Sequence, residues 1–292
     1  MVRNSTELAT ALGKAIGLTL QPSPAAAVHG GSINASHRWD SNAGPIFVKV
    51  APPHGRPMFE AEAAGLDELR RANAVRVPRA LGIATTESAV ALALEWIDLG
   101  RASRATETAL GEQLAVQHRV AANAFGWHRD NTIGSTPQAN GWCDEWVTFF
   151  RERRLRPQLD LARTNGFEGR LQKRGEEVLS RLDRLLPSSH EPPSLLHGDL
   201  WGGNWGADPQ GAPVIFDPAV YFGDRIADIA MTRLFGGFGA SFYAAYEAAW
   251  PLPADATNRI ELYNLYHILN HLNLFGGGYL GQAVSTMERL VG

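Results

Sequence analysis

A short glycine-rich loop and the apolar strand that follows it constrain the fold of this chain more than any other feature. The loop, His197–Asn204, carries Asp199 and Asn204 five positions apart, and the strand Val214–Phe216 ends at Asp217. Glycines let such a loop turn tightly. An aspartate that leaves a buried strand beside the loop is well placed to share a metal site with it. We therefore expect the fold to bring these three side chains together.

The spacing of these side chains predicts phosphoryl transfer of the protein-kinase type. Kinase catalytic loops carry an Asp and an Asn at the same separation, and such sites work mainly by positioning phosphates, Mg²⁺ and a nucleophile. We expect Asp199 to accept or orient the proton of the acceptor hydroxyl. Asn204 and Asp217 are expected to hold Mg²⁺, which prefers oxygen ligands. A plain Gly- and Asn-rich turn and a strand-ending Asp-Pro turn are the alternatives.

A lysine inside an otherwise apolar strand predicts a second part of the same site. Lys49 lies within Ile46–Val50, and a buried lysine without a partner would be costly. We expect it to contact the phosphates of ATP and to be held by Glu62, on the predicted helix Met58–Arg71. Glu60 is the rival partner on that helix, and an edge-strand lysine in solvent is the alternative.

A glycine-containing stretch precedes the lysine strand, in the order in which a phosphate-covering loop would come. The residues expected to cover the ATP phosphates are Gly30, Gly31, Ser32 and Ile33. The stretch lacks the full Gly-x-Gly-x-x-Gly spacing, so a simple hairpin turn explains it equally well. Its position before Lys49 is the reason for the prediction.

The order of apolar patterns predicts an α+β protein with a two-lobed, protein-kinase-like fold. Strand patterns dominate the first part, over 46–50, 80–86 and 88–95. Helical periodicity dominates the rest, over 106–122, 144–162, 167–186, 224–234, 239–249 and 257–275. This order favours α+β over a doubly wound sheet, because strands and helices do not alternate regularly.

The change of pattern also predicts where the lobes meet. We assign residues 1–96 to a small β-rich N-terminal lobe and residues 97–292 to a larger, mainly helical C-terminal lobe. The linker between them is short, and we expect the adenine of ATP to lie against its backbone. The linker residues in this prediction are Glu95, Trp96 and Ile97.

Composition narrows the partners and the compartment. The 292 residues carry a formal net charge of −3, so nothing points to nucleic acid or an anionic membrane surface as a partner. No run of about 18 apolar residues predicts a membrane span, and the N-terminus lacks the apolar stretch of a secretory signal. The single cysteine, Cys143, excludes an intrachain disulfide and fits a reducing cytoplasm. No obligate protein partner is implied.

Two other polar groups imitate functional sites. His128–Asp130 reads like the kinase His-Arg-Asp sequence, but Ser135 stands five residues after the Asp, where an Asn is needed. His267 and His271 share a helix face and could ligate a metal. No third ligand accompanies them, so packing in the core or cleft is favoured.

Taken in order, several segments of the chain resemble the fructosamine kinase (ketosamine 3-kinase) family, which is related to the aminoglycoside phosphotransferases. The resemblance runs from about residue 10 to the C-terminus. The matching segments are Gly30–Asn34, Phe47–Val50, Phe59–Glu62, Gly134–Gln138, His197–Asn204, Asp217–Ala219, Phe235–Phe238 and Leu269–Asn273.

The resemblance implies ATP-dependent phosphorylation of the 3-hydroxyl of a ketosamine, the sugar–amine adduct formed by glycation, and hence a deglycating role. Trp201 stands two residues after the expected base, where protein kinases tend to place Lys and aminoglycoside phosphotransferases often place His. Its indole could stack on the C–H face of a sugar, or it could simply pack the loop. His271 is expected at the substrate, and His197 and Asp228 are expected to support the catalytic loop.

Two other functions remain open from the sequence. The first is a kinase of the same fold that acts on an aminoglycoside, choline or another small alcohol. The second is a pseudokinase that binds nucleotide without turnover. The sequence leaves open the sugar and amine of the substrate, whether glycated proteins are accepted, and the oligomeric state.

Overall fold

An antiparallel sheet with two helices forms the first part of the protein. The computed structural model describes residues 2–21, 35–186 and 191–292. The strands of the sheet are β1 (Leu20–Gln21), β2 (Ala35–Ser41), β3 (Gly44–Ala51), β4 (Ala80–Thr85) and β5 (Val90–Glu95). Their order in the sheet is β1-β2-β3-β5-β4. Helix α1 (Val2–Ile16) packs on the sheet at β4, and helix α2 (Arg56–Arg71), which follows a 3₁₀ turn at Pro53–Gly55, packs against β4 and β5.

Strand β3 shows why the lysine faces the site. Successive side chains of a strand point to opposite faces of the sheet. Val48 is buried in a small core with Leu12 and Trp39. The neighbouring Lys49, paired in register with Leu92 of β5, therefore lies on the other face, where it reaches α2.

The second part is mainly helical. Its first helix, α3 (Arg104–His118), begins with a capping box in which Ser103 and Thr106 bond each other's backbone N–H, a strong helix start. A π-helical turn at Arg151–Leu155 joins α4 to α5, and a 3₁₀ turn at Gly277–Tyr279 precedes α11. The later helices are α4 (Trp146–Phe150), α5 (Arg156–Thr164), α6 (Arg170–Ser180), α7 (Leu182–Leu185), α8 (Ile226–Leu234), α9 (Ala240–Ala249), α10 (Ala256–Phe275) and α11 (Leu280–Val291).

Three pairs of short antiparallel strands lie among these helices. The pairs are β6 (Asn131–Ile133) with β7 (Thr136–Gln138), β8 (Ser194–Leu196) with β11 (Tyr221–Gly223), and β9 (Trp205–Ala207) with β10 (Pro213–Ile215). The last two pairs flank the loop His197–Asn204, because β8 ends just before His197, β9 begins just after Asn204, and β10 ends two residues before Asp217.

The elements agree with the predicted α+β class and differ in detail. The helix expected over 106–122 ends at His118, and the helix expected over 144–162 is divided by the π-helical turn. Helix α11 and most of the short strands were not predicted from the sequence. The lobe boundary at residues 96 and 97 stays a prediction, although β5 ends at Glu95. Within the described ranges, no helix is long and apolar enough to span a membrane.

Candidate active site

The loop His197–Asn204 is held in one conformation by backbone contacts and a buried anchor. Leu200 is fully buried, and the N–H of Asn204 donates to the Trp201 carbonyl at 2.9 Å. Gly198 has φ +82°, and a Cβ there would lie 2.1 Å from the Ala219 oxygen. Only glycine fits this position, because both the conformation and the space exclude a side chain.

Asp199 and Asn204 are joined directly. Nδ2 of Asn204 donates to the Asp199 carbonyl at 2.9 Å and to Oδ2 of Asp199 at 3.3 Å. The backbone N–H of Phe216 donates to the Asn204 carbonyl at 3.0 Å. The loop is therefore tied to the segment that ends in Asp217, as the spacing of these residues predicted.

The carboxyl group of Asp199 is poised to exchange a proton near neutral pH. Burial raises its pKa, and the charges of Asp217 and Asp228 raise it further, while the hydrogen bond from Asn204 opposes them; the resulting pKa is about 7. A general base works best when its pKa lies near the operating pH.

His197 is buried and orients the loop as a neutral ring. Its Nε2 lies 3.0 Å from the Phe216 carbonyl, which can only accept, and its Nδ1 accepts the N–H of Asp199 at 3.3 Å. These partners assign the proton to Nε2. Burial lowers the pKa of His197, which agrees with the neutral form.

Asp228, in the first turn of α8, anchors the start of the loop. Its Oδ2 accepts the N–H of His197 at 2.7 Å, and its Oδ1 accepts the N–H of Gly198 at 2.9 Å. Nε2 of His118 lies 3.1 Å from the same Oδ2, and Nδ1 of His118 lies 2.8 Å from the Tyr246 hydroxyl. Although burial opposes it, the hydrogen bond with His118 lowers the pKa of Asp228, and the hydrogen bond from the Gly198 N–H acts in the same direction.

Lys49 forms two short ion pairs. Its Nζ lies 2.7 Å from Oε1 of Glu62 and 2.7 Å from Oδ1 of Asp217. Although burial opposes the charged form, the carboxylates of Asp217 and Glu62 raise the pKa of Lys49. Burial raises the pKa of Glu62 and the charge of Asp217 raises it further, although the ion pair with Lys49 opposes both. The rival Glu60 instead pairs with Arg56 at 2.8 Å.

The oxygens of Asn204 and Asp217 suit a hard divalent cation. Asp217 has φ +57°, an uncommon backbone conformation for a residue other than glycine. Among the described residues, no hydrogen bond engages Oδ1 of Asn204 or Oδ2 of Asp217. The same residues contain no cluster of three or more His, Cys, Asp or Glu that could hold a metal by itself. Two protein ligands completed by phosphate oxygens are typical of Mg²⁺, so the donor set fits that ion.

Two cavities meet at Asp217. The first is polar and is lined by Lys49, Glu62, Asp199, Trp201, Asn204 and Asp217, among others. The second is more apolar and is lined by Phe47, Pro78, Leu94, Glu95, Ile97, Leu99, Gly203, Val214, Phe216 and Asp217. An apolar slot and a polar cavity that share a carboxylate could accept a nucleotide base on one side and an acceptor hydroxyl on the other.

The linker residues do not contribute equally to the apolar cavity. Glu95 and Ile97 line it, but the indole of Trp96 donates to Asp98 at 2.8 Å. The carboxylate of Glu95 accepts from Arg76 at 3.1 Å, and the backbone N–H of Glu95 donates to the Arg79 carbonyl at 2.9 Å. Gly30, Gly31, Ser32 and Ile33 lie outside the described residues.

Trp201 and His271 are separated by another ring. Trp201 lines the polar cavity, and its indole covers Gly203, where a Cβ would lie 2.3 Å from the ring. Phe235 lies between the two predicted substrate residues, with its ring centroid 6.3 Å from Trp201 and 4.6 Å from His271.

The sequence reading missed several residues around the site. His118 pairs with Asp228 across 110 positions, and no motif marks it. Asn131, Thr132 and Gly134 line the polar cavity. In the sequence, the resemblance of Gly134–Gln138 to the fructosamine kinase family was the one feature that could have indicated this wall of the polar cavity.

Relatives and solved structures support a single assignment. The chain is 43% identical to a protein named probable ketoamine kinase from Synechocystis, covering 90% of this chain and 88% of the relative. It is 41% identical to the chloroplastic protein-ribulosamine 3-kinase of Arabidopsis thaliana, covering 89% and 80%. A crystal structure from Thermobifida fusca, provisionally named fructosamine-3-kinase, matches with a TM-score of 0.85 and 32% identity over 97% and 98% of the two chains.

A more distant structure shows the breadth of the fold. A thermostable mutant of an aminoglycoside phosphotransferase matches with a TM-score of 0.63 and 16% identity over 98% of both chains. The predicted two-lobed, protein-kinase-like fold is thereby confirmed. A family model described as fructosamine kinase matches residues 4–292, and the chain therefore belongs to the fructosamine kinase family.

Proposed function

We propose that this protein transfers the γ-phosphoryl group of ATP to the 3-hydroxyl of a ketosamine, and thereby promotes repair of glycated amines. The observation that carries the proposal is the meeting of two cavities at Asp217, beside Asp199, Asn204 and Lys49. The relatives named ketoamine kinase and protein-ribulosamine 3-kinase supply the acceptor class. The substrate is a small ketosamine or glycated amine.

In this proposal each polar residue has one role. The acceptor oxygen bonds to the γ-phosphorus as the bond to the leaving ADP oxygen breaks, and Asp199 takes the hydroxyl proton. Lys49 contacts the phosphates and Glu62 holds it. Asn204 and Asp217 would hold Mg²⁺, which neutralises charge on the phosphate oxygens when bound.

The apolar cavity is the proposed adenine site. The backbone carbonyl of Glu95 and the backbone of Ile97 would recognise the base, and Phe47 and Phe216 supply apolar walls. Trp96 belongs to the linker, but its side chain is turned to Asp98. Covering of the phosphates by Gly30 to Ile33 remains a proposal from the sequence.

The acceptor side uses the indole of Trp201. Its flat face would stack on the C–H face of the sugar, with His271 farther along the same side. Asp228 would hold the loop by accepting the N–H groups of His197 and Gly198, and the His197 ring would tie the loop to the Phe216 carbonyl. A cytoplasmic location, and action without nucleic acid, membrane or protein partner, remain predictions.

A coupled ADP-release assay tests the function. We expect turnover with free ketosamines or glycated lysine peptides and none with aminoglycosides or choline. Asp199→Ala should lose several orders of magnitude in kcat while ATP binding is largely kept. Near-normal turnover in that variant would exclude Asp199 as the base. Preference for an aminoglycoside or choline, or binding without any turnover, would refute the ketosamine assignment.

Replacement of Trp201 by alanine tests the stacking contact separately. We expect KM for the sugar substrate to rise, because the apolar contact is lost, while KM for ATP changes less. An unchanged KM for the sugar substrate would mean that the indole only packs the loop.

A further inference from the structure

A row of aromatic side chains continues from the acceptor cavity onto the surface. Three of the six large hydrophobic side chains exposed in the described residues belong to it: Trp201, Phe235 and Phe275. His271 and Tyr279 complete the row, which we call the aromatic ledge. Exposed apolar surface gathered in one place usually marks a binding site.

The rings of the ledge touch in sequence. Phe235 lies edge-on to Trp201 at 6.3 Å and against His271 at 4.6 Å between centroids. His271 is 5.3 Å from both Phe275 and Tyr279. These separations are those of interacting aromatic pairs, so the row is a continuous surface that begins at Trp201 and leads away from the cavity.

The ledge is tied to the strand that follows the loop, and its histidine is uncharged. The indole N–H of Trp205 donates to the Gly237 carbonyl at 3.2 Å, which ties the segment after Phe235 to the strand that follows the loop. Nδ1 of His271 lies 2.9 Å from the His267 carbonyl. Burial lowers the pKa of His271, so the ring is neutral at pH 7 and offers an apolar face rather than a cation.

The position of the ledge identifies its occupant, on the basis of the proposed function. The proposed function puts the reacting hydroxyl at Asp199 and the sugar against Trp201, where the ledge begins, so the amine part of the substrate can extend onto the ledge. We propose that the aromatic ledge binds this amine part and selects ketosamines whose amine carries an apolar or aromatic group close to the glycated nitrogen.

The test compares two adducts of one sugar, with methylamine and with benzylamine, in the ADP-release assay. We expect the wild type to favour the benzylamine adduct in kcat/KM. Phe275→Ala should lower the benzyl-to-methyl ratio about tenfold, the scale of one aromatic contact, and Tyr279→Ala should act in the same direction. Trp142→Ala is the matched control, because Trp142 is another exposed aromatic, in contact with Phe222.

The outcomes separate this inference from the proposed function. If the wild type phosphorylates neither adduct nor any other ketosamine, the proposed function fails and the ledge proposal fails with it. If it phosphorylates the methylamine adduct but Phe275→Ala leaves the ratio unchanged, only the ledge proposal fails. A ratio that Trp142→Ala lowers equally, or a change of oligomeric state in Phe275→Ala that accounts for the loss, would also overturn it.

Discussion

Replacing Lys49 by methionine tests the charge balance at the junction of the two cavities. Its Nζ lies 2.7 Å from Glu62 and 2.7 Å from Asp217, and its side chain is 7% exposed. Methionine keeps much of the apolar stem but leaves two acidic side chains without their cation. We therefore expect this variant to lose folding stability as well as turnover.

The size of the loss follows from the burial of the partners. Removing one partner of a buried ion pair costs about 3–5 kcal/mol. The lower end applies here, because Asp217 is 24% exposed and because protonation of Glu62, whose pKa burial already raises, relieves part of the repulsion. A loss of about 3 kcal/mol corresponds to a fall in Tm of about 6–12 °C.

Thermal unfolding at pH 6 and pH 8, with the ADP-release assay in parallel, measures both effects. Burial raises the pKa of Glu62 in the folded state, and without Lys49 the charge that opposes this rise is gone. Stability therefore falls as pH rises, and the variant should be less stable at pH 8 than at pH 6. The double variant Lys49→Met/Glu62→Gln removes one of the unpaired charges and should regain part of the Tm without regaining turnover. An unchanged Tm in the single variant, or no recovery in the double variant, would refute this reasoning.

Three further predictions concern the catalytic loop. Because Asp199, with a pKa of about 7, must be ionised to accept a proton, kcat/KM should fall about tenfold per pH unit well below pH 7; a flat profile from pH 5.5 to 7 would contradict this. Gly198→Ala should lower Tm and abolish turnover, since it adds about 1–2 kcal/mol of left-handed strain to a contact of 2.1 Å with Ala219; normal unfolding and kinetics would argue against the tight turn. Gly203→Ala should displace the indole of Trp201, because its methyl would lie 2.3 Å from the ring, and raise KM for the ketosamine more than KM for ATP in steady-state assays.

Local spacing predicted that Asp199, Asn204 and Asp217 would lie close together. Asp199 and Asn204 are five residues apart on one loop, and Asp217 follows a short strand that pairs with the strand after the loop. Few residues separate these side chains along the chain, so the fold can place them in few different arrangements. Lys49 was found for a different reason, because a lysine within an apolar strand needs a partner.

Residues that meet only through long-range packing gave no comparable indication. His118, on α3, contacts Asp228, and the sequence around either residue gives no sign of that contact. The π-helical turn at Arg151–Leu155 also escaped prediction, because its side chains continue the helical pattern on both sides. Strands of three residues, such as β8 and β11, are too short to show a period, and their pairing depends on distant parts of the chain.

The two ion pairs of Lys49 have a consequence for how the proposed site fills. Lys49 contacts Oδ1 of Asp217. In the proposed function, however, Lys49 binds the phosphates of ATP and Asp217 binds the metal ion. Lys49 and Asp217 would therefore give up their contact with each other when the nucleotide binds. Each of the two charges then stays paired only if the phosphates and the metal cation bind together. In this proposal Glu62, which has its own bond to Lys49, would hold the ammonium in place during the exchange. The buried lysine would then need the helix carboxylate even though Asp217 already lies at 2.7 Å.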